Sequence, residues 1–383
     1  MKKITPFISF LFCMGLTAQT ALYNGSGNMQ LHNGAFLGVH TNFINDASFN
    51  QTTGLIGFYG NTFIDVSGTV TPTFFNVEID NPFGVFLNTT VNVTNNTNFI
   101  IGDIETPKSI RTIYYNFMED HSINGHSDFS KVNGFCAIEN RQDFSFPVGD
   151  TEQLRPLFLT SESVNTQAKC AYFFENPNNP SAFATSFNTT RKSKQVDLVS
   201  ELEFWRLEGS VPSTITVSWN ERSNISLLAD EFYKMGLVGW HKVSRQWERL
   251  SGEEAMGDLD QGFVVSETFI PDDYEVITLA SLAIPTRLLE LDNYIVTPNG
   301  DGTNDVLVIE ELEESPNNSI AIFNRHGQKV FQKENYTNEF NGFSNMNNLV
   351  LSRNKGLPAG IYFYVAKLKD LNKEYQGYLY LNR

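Results

Sequence analysis

Apolar and polar residues alternate along most of this 383-residue chain, in short runs closed by Asn and Gly. Between Thr20 and about Ser130 such runs occupy 54–61, 75–81 and 84–88, then Val91 and Val93 with polar residues between them, then Phe99 to Ile101. A period of two marks half-buried strands. Turn residues recur at short intervals without a fixed repeat length. The pattern predicts a β-solenoid-like or stacked-sheet module, a fold that places Asn and Gly at its corners; an ordinary sandwich is the alternative.

From Lys131 to Pro285 the strands lengthen. Phe144, Phe146 and Val148 alternate ahead of a Gly149-Asp150 turn, and Ile215, Val217 and Trp219 share one face. Trp205, Trp240 and Trp247 supply large bodies for a core between two sheets, so a β-sandwich is expected here. After residue 286 a third region reads as a small antiparallel domain. Its expected strands are Ile320–Phe323, Lys329–Phe331, Ile361–Val365 and Tyr375–Leu381, with Leu379 and Leu381 facing inward. About seven strands in this span would suit an immunoglobulin-like sandwich. The whole is all-β, divided at 1–19, 20–130, 131–285 and 286–383.

Composition narrows the picture. With 27 Lys+Arg against 43 Asp+Glu the formal charge is −16, which disfavours nucleic acid and anionic bilayers as partners. Thirty-two Phe exclude a disordered acidic chain. Lys2 and Lys3 precede a mostly apolar stretch from Ile4 to Leu16, then Thr17, Ala18 and Gln19: the layout of a secretory signal peptide, too short to span a bilayer. Once it is cleaved, the mature chain is expected not to cross a membrane. Phe12 before Cys13 argues against a lipoprotein signal. Cys136 and Cys170 then remain, either as a disulfide of an exported protein or as two buried thiols in neighbouring strands.

The C-terminal region carries a specific set of motifs. They are Pro298, Asn299, Gly300, Asp301, Gly302, Thr303, Asn304 and Asp305; a segment from Ile322 to Phe331 that includes Phe323, Asn324, Arg325 and Gly327; Leu357 to Tyr364 with Pro358, Gly360 and Tyr362; and a close at Gly377 and Arg383. As a set they resemble the gliding-motility-associated C-terminal domain, the type B sorting domain of the Bacteroidetes type IX secretion system. The resemblance spans Asn293 to Arg383. It departs at His326, where the family usually has Trp, and at Phe340-Asn-Gly342, where it has Trp-x-Gly. It implies recognition of this domain by outer-membrane translocon components and delivery to the cell surface or the medium. The stretch His121–Asp150 also resembles a boundary found in large exported Bacteroidetes proteins, with no activity attached to it.

Chemistry is sparser. Asp301, Asn304 and Asp305 in a glycine-bearing loop are weak Ca²⁺ candidates, but side-chain-to-backbone turn bonds explain the same residues. No other cofactor is expected. His121 and His126, with Asp120 and Asp128, fit no zinc spacing and read as a polar loop. GxSxG, HExxH, P-loop and dinucleotide fingerprints are absent. Paired acids such as Glu253-Glu254, Asp258 with Asp260, and Asp272-Asp273 read as solvated loops. The expectation is therefore a non-enzymatic, adhesin-like or structural surface protein. The alternatives are a polysaccharide hydrolase and a carbohydrate-binding protein using Tyr114, Tyr115 or Trp240.

Overall fold

A computed structural model describes residues 21–50, 52–251, 255–282, 289–290, 293–309, 312, 315–346, 356–369 and 373–383. The expected signal peptide and the Glu253-Glu254 pair lie outside the described residues. No helix among them is long and apolar enough to cross a membrane.

The N-terminal part is a stack of coils with two parallel sheets as its walls. One wall is built from Ala21–Asn24, Asn42–Asn45, Ile64–Ser67, Val85–Leu87, Ile104–Glu105 and Val132–Asn133. The other begins with Phe36–Val39, Leu55–Tyr59, Thr73–Asp80, Val91–Ile101 and Tyr115–Met118. Inward residues stack coil on coil, as in Phe43–Val66–Leu87 on the first wall and Val39–Phe58–Ile79–Phe99 on the second. All of these are buried in one apolar core. The solenoid-like reading is thus the observed one. Its repeat stays hidden in the sequence because coil length varies: Phe43 pairs Val66 and Val66 pairs Leu87, whereas Ile104 pairs Val132.

The corners explain the Asn and Gly. Buried Asn45 takes a hydrogen bond from Asn24 Nδ2 at 2.7 Å and donates to the Val70 carbonyl at 2.8 Å. Asn81 donates to the Thr62 carbonyl at 2.8 Å. Each amide ties adjacent coils together and satisfies backbone oxygens that would otherwise be buried without a partner. Gly102, at φ +90°, sits so close below that a Cβ would fall 1.7 Å from the Asn81 oxygen. Only glycine fits there.

The second wall does not stop at the solenoid. Tyr115–Met118 pairs in parallel with Cys136–Phe146, which then pairs antiparallel with Leu157–Phe173. That 17-residue strand feeds two branches. Its later half pairs Phe204–Glu208, leading to Tyr274–Leu282, Met235–His241 and Trp247–Arg249, and its earlier half pairs Ser213–Trp219, leading to Gly262–Val265. Trp205, Ile215, Val217 and Trp219 join the solenoid core, while Trp240 and Trp247 bury against Phe187, Val238 and Val276 on the other side. Cys136 and Cys170 face one another across their strands as buried free thiols. Burial pushes both well above the usual thiol range, so they are inert rather than reactive.

The C-terminal region is a separate sheet of Leu289–Glu290, Tyr294–Val296, Asn318–Asn324, Lys329–Glu334, Gly360–Leu368 and Lys373–Leu381. Leu307, Ile309, Phe340 and Leu357 from its loops cover one face and close the core with Leu379 and Leu381. The strand Gly360–Leu368 is buried on both faces. Tyr362 and Tyr364 enter this core, and Phe363 and Val365 pack outward on the rest of the protein.

Candidate functional site

The loop 297–305 holds itself together. Asp305 accepts from the Gly300 and Gly302 N–H groups at 2.7 and 2.8 Å, one on each carboxylate oxygen. Asp301 accepts from Thr303 N–H at 2.8 Å and from Asn299 Nδ2 at 2.8 Å. These bonds hold its carboxyl below the usual range. Gly300 and Gly302 take φ +80° and +85°, and Asn304 takes +53°. Each oxygen of the two carboxylates accepts one of these bonds, the turn-forming role expected of such residues. The loop is exposed, and Pro298 leads into it half-buried.

The other motif residues shape turns and close contacts. Asn324 Oδ1 accepts from the N–H groups of His326 and Gln328, both at 3.0 Å, and Gly327 turns the chain at φ +80°. Tyr362 donates to the Pro358 carbonyl at 2.8 Å, just before Gly360 at φ +152°. At Gly377 a Cβ would meet the Tyr364 hydroxyl at 2.6 Å, so glycine leaves room for that ring. Arg383 donates to the Gly342 carbonyl at 2.8 Å and lies over the Phe343 ring, anchoring the chain's last residue.

One turn of this domain docks on the body. Phe323 and Phe363 bracket Phe263, with ring centroids 4.9 and 5.7 Å away, and Met256 and Val365 complete the cluster. A Cβ on Gly327 would meet Thr216 at 2.5 Å and Phe263 at 2.9 Å. His326 stands at this seam among Arg325, Arg155, His126 and Asp128. Burial, then the neighbouring positive groups, push its imidazole down to about 4. Burial likewise lowers His126. The unfolded chain takes up these protons near pH 6.5 and the folded chain does not, so stability is full above 6.5 and is lost as pH falls toward 4. Thermal melts at pH 7 and pH 5 should show a smaller acid-induced drop for His326→Phe than for the wild type. Equal drops would contradict this account of the seam.

The remaining sequence candidates disperse. His121 is buried against the Phe117 ring at 5.0 Å, and burial, then Arg141, push it to about 3. Asp128 accepts from Leu154 N–H at 2.9 Å. Among the described residues no group of three or more His, Cys, Asp or Glu gathers as metal ligands. Asp258 accepts the Asp260 and Gln261 N–H bonds of its own turn, and Asp272 accepts from the distant Gly209 N–H at 3.0 Å. Tyr115 and Trp240 are buried, and Tyr114 accepts from Gln167 at 3.0 Å, so these rings form no exposed row.

A different feature went unread. Where the last solenoid coil meets the antiparallel part, a cleft of about 440 Å³ is lined by Glu105, Lys108, Asn133, Asp150, Phe174 and Arg222, among others. Arg222 grips Asp150 with two bonds of 2.9 and 2.5 Å and covers the Phe174 ring at 3.6 Å. These residues come from five separate segments. No spacing in the sequence signals them; Gly149-Asp150 was visible only as a turn.

Residues 289–383 thus form a compact β domain with its own core, docked on an all-β body by the outer face of Asn318–Asn324 and Gly360–Leu368. Residues 289–381 match the family described as the CHU_C Type IX secretion signal domain. No curated protein and no solved structure gives a significant match. The C-terminal region is therefore a type IX secretion signal domain. It interacts with the secretion machinery, and the protein is exported to the cell surface or the extracellular space.

Proposed function

We propose that the protein is a non-enzymatic, adhesin-like body displayed outside the cell, delivered by outer-membrane translocon components that engage the C-terminal domain. The exposed loop 299–304 and the exposed Tyr378 and Tyr380 leave that domain accessible despite its docked face. One observation carries the display reading. The outer face of the second solenoid wall carries a polar ladder whose rungs bond to one another across coils. Asn95 donates to Asn76 at 2.7 Å, and Asn98 and Tyr59 donate to Glu78 at 2.9 and 2.8 Å, while Asn116, itself buried, donates to Asn92 and Glu139, both at 2.9 Å. Neighbouring strands repeat about every 4.8 Å, so these groups form a regular array fixed by a rigid core.

Hydrolysis of a glycoside needs two available carboxyl groups flanking the bond. Of the acids lining the cleft, Asp150 is held by Arg222 and Glu175 accepts two bonds from Ser181, both at 2.7 Å. Among the described residues Glu105 is the one acid of the cleft that accepts no hydrogen bond, which favours binding over cleavage. Cells lacking the protein should attach less well to their substratum, and purified full-length protein should release no reducing ends from polysaccharide. Normal attachment, or steady release of reducing sugar, would contradict this function.

A further inference from the structure

The cleft deepens the display reading, on which its biological sense rests. Lys108 is half-buried, with its ammonium in a cation–π contact 5.3 Å from the Phe173 ring centroid, and among the described residues it has neither a hydrogen bond nor a counter-ion within ion-pair distance. Among the same residues half-buried Glu105 carries no hydrogen bond or close ion pair, and the Asn133 side chain beside it makes no hydrogen bond. Withdrawing charges from water without pairing them costs stability. Burial accordingly holds Lys108 below the ordinary lysine value and Glu105 above the ordinary glutamate value. Glu105 and Lys108 attract one another through space, and Asp150, Glu175 and Asp103 also act on Lys108, but no hydrogen bond fixes either head group. Both line the same cavity, at the junction of two architectures where ligand sites commonly form.

The cleft also has an approach. On the first solenoid wall Asp65 pairs Phe86, Phe86 pairs Glu105, and Glu105 pairs Asn133, so these outward side chains form one lateral row. At about 4.8 Å per strand the row is roughly 14 Å long. Phe63, 46% exposed, lies with its ring centroid 6.1 Å from that of Phe86. The row therefore presents apolar ring surface next to the unpaired acceptor, donor and amide.

We propose that this cleft binds a neutral oligosaccharide, with one sugar held between Glu105, Lys108 and Asn133 and the chain continuing along Phe86 toward Asp65. Sugar hydroxyls both donate and accept, so a single ring can satisfy a carboxylate, an ammonium and an amide together. The C–H face of the next ring suits an aromatic surface. A formal charge of −16 repels polyanions and favours a neutral chain over an acidic one.

The test is isothermal titration of the intact protein with cellohexaose, maltohexaose, xylohexaose, mannohexaose and laminarihexaose, repeated on Lys108→Met, Glu105→Gln and Phe86→Ala. At least one sugar should bind, with affinity at least tenfold weaker in Lys108→Met and in Glu105→Gln, and weaker in Phe86→Ala. No binding by any of the five, or undiminished binding in the first two variants while they remain folded by circular dichroism, would each overturn the proposal. Cell attachment is measured separately, so the cleft can fail while the display reading stands, and the reverse.

Discussion

Replacing Arg155 with methionine is expected to destabilise the protein by about 3–5 kcal/mol, the cost of breaking a buried ion pair by removing one partner. Arg155 and Glu203 are 3% and 1% exposed at their side chains. The guanidinium donates to both Glu203 oxygens at 2.8 to 3.1 Å, and to the Ser218 carbonyl and the Ser223 hydroxyl at 2.8 and 2.9 Å. Tyr172 donates to the same carboxylate at 2.7 Å, and Trp205 Nε1 bonds the Arg155 carbonyl at 3.0 Å. Deleting the cation strands a carboxylate where water cannot reach it. Converting Glu203 to glutamine as well should recover much of the loss, because the charge then disappears with its partner. Urea denaturation of wild type, Arg155→Met and the double variant measures all three. A single variant within about 1 kcal/mol of wild type would show that the pair does not anchor the core.

The ion pair matters for more than stability. Strands Leu157–Phe173, Phe204–Glu208 and Ser213–Trp219 converge around it, and the Ser213–Trp219 branch continues to Phe263, on which the sorting domain sits. Arg155 is also one of the positive groups that hold His326 neutral at the seam. Body and export signal thus share one packed region.

What the sequence disclosed depended on how local each feature is. The alternations at Phe144, Phe146 and Val148, and at Ile215, Val217 and Trp219, were legible because each strand keeps one face on the core. The motif from Pro298 to Asp305 was legible because it is a closed turn, its side chains bonding to its own backbone. The expected strand Ile361–Val365 is part of Gly360–Leu368, which is buried on both faces. Its second face is covered by Phe263, about a hundred residues away in sequence, which no local pattern can announce. The solenoid's period was obscured by unequal coils. The cleft was invisible for the same reason as the covered strand: topology assembles it from Glu105, Asn133, Asp150, Phe174 and Arg222, and none of them is unusual where it stands in the chain.

Removal of the C-terminal domain should have the largest effect of all, because it takes away the export signal itself. The domain has its own core, from Val296 to Leu381, and meets the body through a small cluster around Phe263. It is built as a unit with its own core, and its exposed loop 299–304 and outward Tyr378 and Tyr380 remain available to the secretion machinery. The measurement that tests this most directly is the distribution of the intact chain, and of a chain ending at residue 288, between the periplasm and the exterior of a type IX-competent host. The intact chain should be found on the surface or in the medium, and the shortened chain should be recovered from the periplasm. Equal delivery of both to the exterior would contradict the account.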